Sequence, residues 1–380
     1  RGKKGTVVVL KIIPADAADE TRKISINRDQ VSLKDKLANA ELIEVSAPNK
    51  TKQRIGWINL YAFYADMERG TSSCSADVKK LLDRLISEKI EGLVVDLRGN
   101  GGGSLEEAIR MTGLFIPSGP VVQAKNAKNK ITDRNSRTPL AAYDGPMVVL
   151  TDRSSASASE IFAAAMQDYK RAVIIGDKST FGKGTVQQIV DLNRIARDAK
   201  NEHGRLKTTI AQFFRISGGS NQHKGVVPDI IFPTAVTAID HGERALDNAL
   251  PWERIRAARY VPAGAPVESF KRAKQQYELR IKSNKLFQLL LEQQSLNQDA
   301  SKKKTVSLLK EARKNEREKL MDTKLKLKNE FRLAQGLEPL EKGEESDESE
   351  EEVEPIDVLL DETAQILYDL ISPAHSTAQI

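Results

Sequence analysis

Short apolar runs bounded by polar, glycine-bearing turns recur through roughly the first 235 residues. Runs of this length predict strands, and the stretches between them with apolar residues three or four apart predict helices. Strand-like runs stand at VVVLKII (7–13), RIGWINLYAF (54–63), GLVVDL (92–97), MVVL (147–150) and RAVIIG (171–176). Between them, Val78, Leu81, Leu82, Leu85 and Ile86 form one helical stripe, and Leu105, Ile109 and Leu114 begin another. VSLKDKLANAELIEV (31–45) reads as a linking segment. KTTIAQFFRISGGSNQHKGVVPDIIF (207–232) reads as a strand, a glycine turn and a closing strand, core structure rather than a site. Repeated strand–helix units of this kind predict a layered α/β fold.

From about residue 236 the pattern changes to long, charged, amphipathic helical sequence, ESFKRAKQQYELRIKSNKLFQLLLEQQ (268–294) and KTVSLLKEARKNEREKLMDTKLKLKNEF (304–331). EKGEESDESEEEVE (341–354) holds nine acids against one lysine, so a chain of net +6 carries +14 outside that block. Such a block reads as a solvated, disordered linker. The basic helices carry no aromatic platform or nucleic-acid motif, which argues against a nucleic-acid partner.

With 39% apolar and 29% charged residues over 380 positions, the chain can bury a sizeable core in two or three domains. It has no run of 18 apolar residues, so no transmembrane segment is predicted. The single cysteine, Cys74, cannot form an internal disulfide, and no histidine pattern makes it a nucleophile. No H-E-x-x-H or Cys/His ligand spacing predicts a metal, and no cofactor is expected.

Chemistry concentrates in two segments. SSASASEIFAAAMQDYKRAVIIG (154–176) follows the run MVVL and opens a helix on serines, where backbone N–H groups would stabilise an oxyanion. STFGKGTVQ (179–187) places Lys183 between two glycines, where burial would lower its pKa and make a neutral amine available as a base. The rival reading of FGKG is a surface turn. His203, His223, His241 and His375 lie in polar, turn-rich or terminal sequence, so no Ser/His/Asp set is predicted. Ser155, Ser157 and Ser159 are equal candidates on spacing alone. Asp168 lies eleven residues after Ser157, on nearly the same helix face but about 16 Å along the axis, too far to touch it. A structural role, capping the helix end or pairing with Arg171 or Lys170, is expected instead. Gly101, Gly102 and Gly103 follow GLVVDL and let the backbone approach a ligand, yet lack the endings of a P-loop or dinucleotide motif.

DLRGNGGGSLEEA (96–108), SASASEIFAAAMQDY (155–169) and STFGKGTVQ, in this order, resemble the carboxy-terminal processing proteases, and most closely their bacterial tail-specific group. The resemblance implies a crotonase/ClpP-like serine protease core and a Ser/Lys endopeptidase acting on proteins with apolar carboxy-terminal tails. It makes Ser157 the nucleophile, Lys183 the base and Gln187 the residue that orients the lysine, and gives the oxyanion to the amides of Gly102 and Ala158. GDKSTFGKG is one residue longer than the family's usual form. The resemblance also divides the chain into the end of a PDZ domain (1–30), a protease core (31–235) and a helical carboxy-terminal domain (236–380) whose last helix, IDVLLDETAQILYDLI, docks. It implies a fragment of a longer, exported precursor, a periplasmic or cell-envelope location, and an adaptor protein as a further partner. The alternatives are a catalytically impaired fragment and a non-catalytic or acyl-CoA-binding member of the same fold.

Overall fold

The computed structural model describes residues 2–14, 20–29, 36–46, 52–65, 73–196, 203–233, 241–262, 267–303, 305–341 and 357–371. It divides into two compact units, Arg1–Leu37 and Ala38–Ile380. In the first, β1 (Val7–Ile12) and β2 (Arg22–Asn27) pair antiparallel, closed by the Gly5 N–H donating to Arg28 O. Val7, Val9, Leu10, Ile24 and Ile26 stay exposed on this hairpin.

The second unit is built on a six-stranded sheet in the order β12-β9-β8-β5-β4-β3. Its strands are β3 (Asn39–Ser46), β4 (Lys52–Asn59), β5 (Gly92–Asp96), β8 (Met147–Thr151), β9 (Val173–Gly176) and β12 (Ile230–Ile231). All neighbours run parallel except β3, which is antiparallel to β4. Parallel strands buried on both faces need apolar residues at every position, and GLVV and MVVL supply them. Leu93, Val95, Met147, Val149 and Ile174 face one core, with Val94, Val148, Leu150, Val173 and Ile175 facing the other.

The first core is closed by α1 (Cys74–Ser87), α2 (Leu105–Thr112) and α3 (Ala158–Asp168), together with Val121 and Val122 of β6 and Phe213 of β11. Those last two strands belong to an antiparallel sheet, β10-β11-β6-β7, formed by β6 (Gly119–Asn126), β7 (Ile131–Ser136), β10 (Thr185–Asp191) and β11 (Arg205–Phe214). A short helix, α4 (Leu192–Ala196), follows β10. The layered α/β arrangement read from the sequence is present, and the carboxy-terminal region is helical as expected.

The second face is covered by helices from the end of the chain: α5 (Val267–Ser283), α6 (Lys285–Lys302), α7 (Lys310–Ala334) and α8 (Val358–Ile371). Tyr277 and Phe287 pack with Phe232, while Val358, Leu360, Ile366 and Leu367 of α8 are buried in the same core. Burying those four α8 side chains contributes roughly 6–12 kcal/mol before conformational entropy is subtracted. That is enough to hold a helix that follows an acidic stretch of sequence. Arg280 of α5 bridges Glu362 (2.7 Å) and Asp369 (2.6 Å) of α8. The stretch 341–354 lies, beyond its first residue, outside the described residues.

One segment departs from its sequence reading. Residues 39–46, within the stretch read as linking, form the edge strand β3 and pair with β4 over eight residues. Glu41 and Glu44 interrupt its apolar pattern, and its pairing comes from β4 rather than from its own propensity.

Candidate active site

Two parallel strands end side by side and launch the two turns that build the site. Ligand sites in open α/β sheets form outside the carboxyl ends of the strands, and here β5 delivers the glycine run while β8 delivers the serine turn. Gly102 has φ +98 and Gly103 φ +149. A Cβ on Gly103 would stand 2.2 Å from Phe63 O, and one on Gly102 would stand 2.6 Å from Ala156 O and 2.8 Å from Ser157 Cβ. Two of the three glycines are therefore required by close backbone approach. Asn100, fully buried, ties the two turns together: its carbonyl accepts from Ala156 N–H (3.0 Å) and Ser159 Oγ (2.8 Å).

The fold separates the three serines. Ser155 is fully buried and donates its hydroxyl to Leu97 O at 2.8 Å, while Ser159 is fully buried and donates to Asn100 O. Ser157 is half-buried and lines a cleft of about 890 Å³ with Phe63, Tyr64, Gly103, Ala158, Lys183 and Gln187. It sits at the N-cap of α3 with φ 57 and ψ −109, a conformation that a non-glycine residue holds only where its surroundings enforce it.

Lys183 lies in the loop between β9 and β10, half-buried against the cleft rather than in an open surface turn. Its Nζ donates to Gln187 Oε1 at 3.2 Å. Burial is the main cause that lowers its pKa below the ordinary lysine value; Lys207 adds to this, and Glu243 and Glu160 oppose it. Lys207 and Phe213 of β11 also line the cleft, so the segment 207–232, read as core alone, supplies a wall of the site.

Sequence reading assigned no role to Glu160, the residue that joins the two halves. Fully buried, it accepts from Ser157 N–H (2.8 Å) and Lys183 N–H (3.0 Å) at Oε2, and from Thr180 Oγ1 (2.7 Å) and Gly182 N–H (2.7 Å) at Oε1. Burial pushes its carboxyl up to about 7 even against those four donors, which favour the charged form. The signal was available: S-x-x-E is the spacing of a capping box, Ser157 to Glu160. The reach of the same carboxylate to residues 180–183 was not available from spacing.

The Ala158 amide, at the first turn of α3, has no protein acceptor among the described residues. The Gly102 amide, expected to face an oxyanion, donates to Asn100 Oδ1 at 2.9 Å. Asp168 is not among the residues that line the cleft, and its partners differ from those expected. It pairs with Arg215 (2.5 Å) and accepts from Ser217 Oγ (3.1 Å). Arg171 instead donates to Phe115 O and Tyr143 O, because the chain turns into β9 and carries its guanidinium away from the helix end. No histidine lines the cleft, and among the described residues no cluster of His, Cys, Asp or Glu is arranged to hold a metal ion.

Residues 54–232 match the model of peptidase family S41, and residues 236–372 match that of the C-terminal domain of tail specific protease. The region 54–232 belongs to peptidase family S41. Over 98% of its length it is 39% identical to the tail-specific protease of Haemophilus influenzae, of which it covers 51%. Over 61% of its length it is 34% identical to the carboxy-terminal-processing protease of Bartonella bacilliformis, covering 48% of that protein. The chain thus spans about half the length of the relatives it matches. Among solved structures, the photosystem II D1 C-terminal processing protease aligns with a TM-score of 0.46 at 24% identity, covering 65% of this chain and 61% of that one.

Proposed function

We propose that the chain is the catalytic portion of a serine endopeptidase of the Ser/Lys type. The observation that carries this reading is that Ser157, alone of the three serines, opens at a helix N-terminus on the cleft that Lys183 also lines, and burial disfavours the ammonium form of that lysine. The amine donates one N–H to Gln187 Oε1, which in this reading leaves its lone pair, when neutral, free to accept the Ser157 proton. Ser157 Oγ attacks the scissile carbonyl as its proton passes to Lys183 Nζ, and the ammonium then protonates the leaving amine. Water repeats the sequence on the acyl-enzyme. The Ala158 amide supplies an unengaged donor to the oxyanion, and the Gly102 amide contributes by sharing its proton between Asn100 Oδ1 and that oxygen.

The substrates in this reading are proteins recognised at their carboxy-terminal tails, as the names of the relatives suggest, and the resemblance of the motifs adds a preference for apolar tails. Residues 1–30 would be the end of a PDZ-type tail-binding module, which adds a substrate terminus as a strand. A periplasmic location and an adaptor partner belong to the same proposal. Among the described residues no helix is long and apolar enough to cross a membrane.

The test is fluorophosphonate labelling of the purified chain. Labelling at Ser157, abolished by Ser157→Ala and strongly slowed by Lys183→Ala, is expected. Undiminished labelling of Ser157→Ala would overturn the assignment.

A further inference from the structure

The last helix reaches back to the turn that carries the site. Arg98 stands two residues before Asn100, at the start of the glycine-bearing turn. Its Nε donates to both oxygens of the buried Asp96 carboxylate (3.1 and 3.0 Å), and one terminal nitrogen donates to Asp96 Oδ2 (2.6 Å) and to Asp357 Oδ2 (2.5 Å). Asp357 is the residue before α8, 259 positions away in sequence. Its second oxygen, Oδ1, accepts from Leu360 N–H at 3.0 Å, so one carboxylate caps the helix with one oxygen and holds Arg98 with the other.

The residues immediately after Arg98 form the backbone of the site. Gly99 N–H donates to Asp152 Oδ2 (3.0 Å), and the same Asp152 side chain accepts from the amides of Ser154 and Ser155. Asn100 N–H closes the turn onto Leu97 O, while its carbonyl and side chain hold Ala156, Ser159 and Gly102. Nothing else among the described residues bonds Arg98 to the helical region.

We propose that Asp357 is a positioning residue for catalysis, through which the docked carboxy-terminal helix fixes Arg98 and with it the turn 97–103 against the serine turn. This rests on the Ser/Lys reading above. The helical region is then part of the active-site support as well as a cover for the sheet. Charge-assisted, geometrically matched pairs of this kind are the stronger class of hydrogen bond, and a half-exposed one such as this transmits a modest effect on rate rather than an all-or-none one.

The experiment compares Asp357→Asn with Asp361→Asn in the full chain. Asparagine caps a helix as well as aspartate does, so Asp357→Asn retains the bond to Leu360 and loses the charge on Arg98. Asp361 is exposed one turn along the same helix. The expected result is a fall in kcat of about tenfold for Asp357→Asn with KM unchanged, a rise of about tenfold in hydrogen exchange at the amides of 99–102, and no change in either for Asp361→Asn. In an Arg98→Ala background, Asp357→Asn should add nothing. Unchanged kcat and exchange in Asp357→Asn would overturn the proposal. So would equal losses in the two helix variants, or loss of kcat only in proportion to unfolded protein. If Asp357→Asn does not fold, the exchange measurement on Asp357→Ser, which also caps, decides in the same way. The exchange readout does not depend on peptidase activity, so failure of the Ser/Lys reading would appear separately, as unlabelled Ser157 with normal coupling between Asp357 and the turn.

Discussion

The backbone amides of Ser157 and Lys183 converge on one carboxylate oxygen, Glu160 Oε2, at 2.8 and 3.0 Å. Two residues 26 positions apart are thereby placed relative to each other by a third.

Glu160→Gln should therefore separate positioning from stability. Its folded carboxyl is raised from 4.5 to about 7 by burial, so the folded protein binds this proton more tightly than the unfolded chain. The contribution is fully present below about pH 4.5 and is lost as pH rises through about 7, on the order of 3 kcal/mol in all. In Glu160→Gln that component of the melting temperature's pH dependence should vanish. An amide nitrogen would then face two N–H or O–H donors in a buried site, and kcat at pH 8 should fall by about tenfold or more. Thermal melts between pH 4.5 and 8 and peptide hydrolysis check both; a full pH slope in the variant would contradict the assignment.

The acid limb of the activity profile should track Lys183. Only the neutral amine accepts the serine proton, so activity falls as pH drops through its lowered pKa. Lys207→Met removes a neighbouring cation, raises the Lys183 pKa and should move that limb to higher pH. Glu243→Gln removes an anion and should move it to lower pH. Profiles of kcat/KM against pH for the three proteins give the answer, and shifts in the same direction would rule out Lys183 as the base.

Ser155→Ala and Ser159→Ala should retain fluorophosphonate labelling at Ser157 and lose stability instead, by about 1 kcal/mol each, since each removes a buried hydrogen bond. Mass spectrometry of the labelled peptide identifies the modified serine.

Asp168→Asn should destabilise without changing the chemistry. Its carboxylate is 7% exposed and its partner Arg215 19%, so loss of the charge leaves a largely buried guanidinium with Gln167 Oε1 and a weakened contact. A cost of about 2–3 kcal/mol is expected, with the labelling rate per folded molecule unchanged. Denaturant unfolding alongside labelling checks it.

Chelating agents should leave activity unchanged, because the proposed reaction uses only side-chain and backbone groups of this chain. Loss of hydrolysis in a chelator, restored by a divalent metal, would point to different chemistry.

The sequence by itself determined the elements whose apolar period is unambiguous. GLVV and MVVL read as doubly buried strands, the stripe from Val78 to Leu85 as a helix, and SASASE as a helix start, because each depends on local spacing. It also brought the pieces of the site into view as three motifs in order. Spacing did not separate Ser155, Ser157 and Ser159; burial did, since two of them spend their hydroxyls on Leu97 and Asn100. Nor could it show that Asp168 meets Arg215, that β3 pairs with β4, or that Glu160 spans two loops. The link from Arg98 to Asp357 was equally hidden. Local pattern fixes which residues share a face, but contacts between residues tens or hundreds of positions apart depend on how the sheet, its turns and the docked helices bring backbones within a few ångströms.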